Sequence, residues 1–188
     1  MQNNAGGISP LILALLQSET DSVDPSAVNK KTGATGVMQL MPDVYNECKI
    51  DPLNPYQNIL CGITHLKKIQ DTLHKVDPLR FPPAGVLPEG FGLRCVVAGW
   101  VWKWSLKAGI AKYVSEYKGS DWNELLDRYD IIPLHTRKWI EKVVLRTENW
   151  KEELKNYSPR VAQIGGKDDL FALVIIALLV LGLTISKE

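Results

Sequence analysis

The apolar residues of this chain recur at helical rather than strand spacing. Leu11, Ile12, Leu13, Leu15 and Leu16 cover almost the full circumference of a helix, the pattern of an element buried on all sides. Ser9 followed by Pro10 supplies an N-cap and a proline at the first helical position, which predicts a helix from Ser9 to about Thr20. Its last turn carries a carboxylate, Glu19. A polar turn, Asp24-Pro25-Ser26-Ala27, and a loop punctuated by Gly33 and Gly36 then lead into Val37-Met38-Gln39-Leu40-Met41-Pro42. The stretch predicts an acid at the end of a buried helix, with a glutamine-bearing loop brought back beside it.

Further along, Pro42 to Glu47 predicts a short helix, and Asp51-Pro52 and Asn54-Pro55 interrupt the chain again. From Gln57, the positions Ile59, Ile63, Leu66 and Leu73 keep helical spacing. Gly62 within that helix costs about 1 kcal/mol against alanine, so a close helix–helix approach is expected there. Val76 to Gly92 is rich in proline and glycine and has no regular period; it either borders a functional groove or is a surface insertion. Leu93 to Tyr113, Trp122 to Leu126 and Ile131 to Val144 read as helical regions. Asn156 to Lys167 reads as a linker, with a mean span near ~20 Å as a coil. Leu170 to Ile185 is an unbroken apolar run. As a helix it rises about 24 Å, somewhat short of the ~30 Å hydrocarbon core of a bilayer. It is read as a single transmembrane helix, the alternative being a buried core helix. The expected architecture is mainly α: a helical domain over 1–150, a linker over 151–168 and a membrane anchor over 169–186.

Composition narrows the functions. At 188 residues the chain can build one domain with a sizeable core, and its net charge of +1 argues against a nucleic-acid partner. Most of the six tryptophans are expected as core anchors, with stacking on sugar faces the other use of such residues. Cys48, Cys61 and Cys95 show no CxxC and no Cys/His spacing suited to zinc, and His65, His74 and His135 form no metal spacing. No metal and no cofactor are expected. Three cysteines cannot all pair within one chain. One bridge could form, but three buried thiols made in a reducing compartment are the expectation. MQNNAGG lacks the basic region of a secretory signal.

With these motifs in view, the chain resembles the soluble-lytic-transglycosylase-like (SLT) family of the lysozyme superfamily. The resemblance rests on Glu19-Thr20, Pro25-Ser26-Ala27-Val28 and GATGVMQLMP from Gly33 to Pro42. It continues through Asn58, Ile59, Gly62 and Leu66, with His65 where the family usually has an aromatic. Val97-Ala98-Gly99-Trp100-Val101 aligns within the family's A-L-A-A-Y-N-A-G, so Trp100 replaces the tyrosine and Val101 the asparagine. IIPLHTRKWIEKVV resembles the closing motif, with His135 for glutamate and Trp139 for tyrosine. So read, the resemblance covers roughly residues 8–150. It implies a lysozyme-like, goose-lysozyme-type helical domain acting on peptidoglycan glycan strands.

A carboxylic acid must be protonated near neutral pH to cleave a glycosidic bond, whereas a free glutamate titrates near about 4.3. An acid at the end of an apolar helix is desolvated, and its pKa rises. Hydrolytic glycosidases usually use two carboxylates. Asp24 is expected in a turn and Asp43 as a helix cap, which leaves Asp21 as the rival partner. The resemblance implies instead that Glu19 acts alone, first as acid and then as base on the C6 hydroxyl of N-acetylmuramic acid, forming a 1,6-anhydro product. It also implies substrate-binding roles for Thr20, Gln39, Met38 and Trp100, although Gln39 could equally fix its own loop and Met38 and Met41 suit packing. A hydrolysing muramidase and a non-catalytic peptidoglycan-binding protein are the alternatives, the loss of the asparagine at Val101 favouring the second. A wall enzyme with a C-terminal anchor and no leader suits the internal membrane of a phage virion, for local wall penetration at entry. A bacterial envelope complex is the other location.

Overall fold

A computed structural model of the chain describes residues 9–19, 24–101, 109–130 and 132–161, with side chains through Lys155. Among the described residues seven helices occur: α1 (Ser9–Glu19), α2 (Pro42–Cys48), α3 (Pro55–Val76), α4 (Gly90–Val101), α5 (Ile110–Glu116), α6 (Trp122–Tyr129) and α7 (Leu134–Val161). The mainly helical expectation holds. No helix of the described residues is long and apolar enough to cross a membrane, and the expected span over 169–186 lies outside them.

Two helices start on a side-chain cap. Asn54 caps α3, its side chain accepting from the Gln57 N–H at 3.1 Å, and Pro55 occupies the first helical position, where a missing N–H costs nothing. Asp121 caps α6 in the same way through Glu124 N–H, at 2.9 Å. Met41 stands at the N-cap of α2, so Asp43 lies in the first turn, beside the positive end of the helix, rather than at the cap expected for it. Lys49, in the left-handed region at φ 56°, ends α2. α7 runs through Val161, beyond the boundary expected at residue 150 and over the first six residues of the 156–167 stretch.

The core is built around α1, whose residues Ser9 to Leu16 are all buried, and which packs most extensively against α7. α4 joins α7 to α3. Gly99 permits the close crossing of α3 and α4, since a Cβ there would lie 2.7 Å from Ile69. Gly62, expected to serve such a crossing, instead makes room mainly for a loop side chain: a Cβ would meet the Met38 sulfur at 2.4 Å and the Trp100 ring at 3.4 Å. Trp100, Trp122 and Trp150 are buried and Trp139 partly so, as core anchors would be.

The cysteine expectation is corrected. Cys48, at the end of α2, and Cys61, in the second turn of α3, form a disulfide with their Cα atoms 6.0 Å apart. Only Cys95, buried in α4, remains a thiol. Counting cysteines could not reveal that α2 and α3 fold back on one another.

The loop from Asp77 to Glu89 is tied down at the end of α3. Gln70 donates to Val86 O and accepts from Gly85 N–H, and His74 bonds Phe81 O. Arg80 spreads its guanidinium over the carbonyls of Val114, Tyr117 and Gly119 and pairs with Asp77. The loop enters α4 at its first turn, about 15 Å of helix rise from Trp100 in its last. It is an anchored insertion, tied to α3 and to the α5–α6 region.

Candidate active site

Glu19 is the last described residue of α1, at the point where the buried helix reaches the surface. Its Oε1 accepts a hydrogen bond of 2.6 Å from the Trp100 indole N–H. Burial pushes the carboxyl up to about 7, because a charge there would lose its water, and the Trp100 bond, which favours the charged form, opposes the rise only in part. Behind Trp100, His65 of α3 packs edge-on to the indole with ring centroids 5.8 Å apart. Burial, reinforced by the Lys68 charge, holds His65 below the usual histidine range, so a neutral ring backs the indole at neutral pH.

The loop after α1 supports this arrangement from below. Thr35 and Leu40 exchange backbone hydrogen bonds across a tight turn, Gly36 to Gln39, that drives Val37 and Met38 into the core. Gly36, at φ 80°, is obligatory: a Cβ would fall 2.2 Å from Pro52 O and 2.4 Å from Asn58 Nδ2. Asn58, fully buried on α3, clamps the turn. It accepts from Met38 N–H at 2.9 Å and donates to Thr35 O at 3.1 Å and Pro52 O at 2.9 Å. Met38 then lies against Gly62, where a Cβ would also meet the Trp100 ring at 3.4 Å.

The expected site residues separate accordingly. Glu19 and Trp100 meet, and Trp100 touches the acid itself. Met38 is fully buried, so the expectation that it contacts substrate is corrected: it packs beneath the site. Gln39, at φ 46°, spends its side-chain N–H groups on Gly36 O and Ala27 O, the loop-fixing role. Thr20, like Asp21, lies outside the described residues. Asp24 accepts from Ser26 N–H and Oγ–H, the turn expected of it. Val101 ends α4, partly buried against the core.

What the sequence reading missed is a clamp on the last turn of α1. Arg146 of α7 donates to Gln17 O and to Ser18 Oγ, the latter at 2.9 Å. Trp139 N–H donates to Ser18 O at 3.4 Å, and Trp150 N–H to Gln17 Oε1 at 3.0 Å. A signal was present: Trp139, Val143, Arg146 and Trp150 follow helical spacing, and a cation in an otherwise apolar stripe requires a partner. An open depression of about 330 Å³ between Phe91, Arg94, Trp122 and Glu141 is a separate feature, its Arg94 and Glu141 paired with each other.

Among the described residues, a mainly helical domain with a desolvated glutamate near the end of a buried helix has the makings of a glycan-cleaving acid catalyst. The family model described as Transglycosylase SLT domain matches residues 2–81. The resemblance to the SLT family is thereby borne out over the stretch that carries Glu19, the glycine-punctuated turn and α3, and it supports glycan cleavage of the lytic transglycosylase type. Trp100, Trp139 and Arg146 lie beyond the matched residues. Comparison with curated proteins and with solved structures gave no match.

Proposed function

We propose that this chain is a peptidoglycan lytic transglycosylase in which Glu19 serves as both acid and base. The observation that carries the reading is the carboxyl of Glu19, lifted by burial to about 7 and held by the Trp100 indole. Such a group is substantially protonated at neutral pH. It gives its proton to the glycosidic oxygen between N-acetylmuramic acid and N-acetylglucosamine as the bond to C1 breaks. The carboxylate so formed takes the proton of the muramic C6 hydroxyl, O6 bonds to C1, and the acid is regenerated. No water is consumed, so no second carboxylate is needed.

The apolar run from Leu170 to Ile185 supports a C-terminal membrane anchor, which would keep the enzyme close to the wall. The Cys48–Cys61 bridge supports a domain working on an oxidising side of that membrane, and it removes the free-thiol argument for a reducing compartment. Delivery within a phage virion remains our reading of the location, an envelope complex of the bacterium being the other. Detection of the chain in purified particles separates the two.

The decisive experiment is mass spectrometry of muropeptides after digestion of purified peptidoglycan by the full chain and by Glu19→Gln. Anhydro-muramic ends from the wild type alone are expected. Reducing ends would instead identify a muramidase with a second carboxylate. Intact glycan with retained binding would identify a wall-binding protein.

A further inference from the structure

We propose that Arg146 is a positioning residue for Glu19, acting through the last turn of α1 and never touching the substrate. The inference rests on the reading of Glu19 as the acid. A helix leaves its last four carbonyls without intrahelical partners, and the end of a helix frays unless these are taken up. α1 is described as far as Glu19, the residue that must be held still, and the carbonyls just before it are taken up from α7. Arg146 supplies Gln17 O and Ser18 Oγ, Trp139 supplies Ser18 O, and Ser18 Oγ also returns a hydrogen bond of 2.6 Å to Ala14 O.

Glu19 is thus fixed from two directions, its backbone turn by α7 and its carboxyl by α4. The Trp100 bond at 2.6 Å leaves little tolerance for movement of the turn. Without Arg146, the turn frays, the bond to Trp100 lengthens and water reaches the carboxyl. Among the described residues, the charged and titratable side chains facing this end of α1 are Arg146 from α7 and, across the Trp100 ring, His65 from α3. Burial, rather than either charge, is what raises Glu19, so loosening the turn must lower its pKa.

The test compares the full-length wild type with Arg146→Met, Arg146→Lys, Trp139→Phe and, as a control, Arg94→Met, which breaks the α4–α7 ion pair without touching α1. Two readouts are taken: kcat and KM on peptidoglycan against pH, and the Glu19 carboxyl titration followed by NMR. Arg146→Met is expected to lower kcat on the order of 10²-fold, as an ångström of misplacement does, with KM little changed. Its Glu19 titration falls from about 7 toward the ordinary carboxylate range, Arg146→Lys recovers part of both effects, and Arg94→Met changes neither. An unmoved Glu19 titration in Arg146→Met, or an activity loss that only tracks the folded fraction, overturns the proposal. Should Arg146→Met fail to fold, Trp139→Phe decides, since it removes one donor and keeps the ring; no shift there overturns the proposal too. The titration is read without turnover, so an inactive wild type would defeat the transglycosylase reading and still leave the positioning claim to be judged.

Discussion

Replacing Glu19 by glutamine isolates the energetic cost of keeping the acid desolvated. The folded-state pKa, about 7, stands above the model value of 4.5. Between those values Glu19 holds more proton in the folded protein than in the unfolded chain, so its contribution to stability falls as pH rises through the window and is level outside it. A shift of that size corresponds to about 3 kcal/mol, at roughly 1.4 kcal/mol per pKa unit. Glutamine has nearly the same shape and never ionises, so it escapes this loss. Asp24, Glu47, Asp77 and Glu89, all held below their usual range by hydrogen bonds, act in the opposite sense but equally in both proteins, and cancel in the difference. Thermal unfolding at about pH 4 and about pH 8, followed by circular dichroism, should therefore show Glu19→Gln gaining on the wild type at the higher pH by roughly 6–12 °C, taking ~2–4 °C per kcal/mol. An equal offset at the two pH values would refute the argument that burial sets the pKa of this acid.

Trp100→Phe keeps most of the ring but removes the N–H donor; because that bond lowers the Glu19 pKa, the alkaline limb of the kcat/KM profile should move up, with activity lost on the order of 10-fold or more. Asn58→Ala leaves Met38 N–H, Thr35 O and Pro52 O without their buried partner and should destabilise the domain by roughly 2–5 kcal/mol in urea titration. Gly36→Ala adds a Cβ against Pro52 O at positive φ and should cost about 3 kcal/mol or more by the same assay, whereas Gly85→Ala, also at positive φ but in open space, should cost less. Replacing both Cys48 and Cys61 by serine opens a loop of sequence separation 13 and should lower stability by about 3 kcal/mol, and a reducing agent should do the same to the wild type alone.

Local chemistry was enough to read α1 and its burial on all sides, because a run of leucines too wide for a surface stripe admits few other solutions. The same holds for the glycine turn at Gly36, since a residue type required by φ leaves its mark in sequence. Where a side chain could satisfy itself in two places, only the fold decided. Gln39 turned to its own loop, Met38 went into the core, and Cys48 found Cys61 once α2 folded onto α3. Trp100 and Arg146 lie 81 and 128 residues from their partners, Glu19 and Ser18. Hydrogen bonds between such distant positions have partners that cannot be read from local sequence, even where the need for a partner can, as for Arg146 in its apolar stripe. They exist only because α4 and α7 pack where they do, and they are what hold the acid in place.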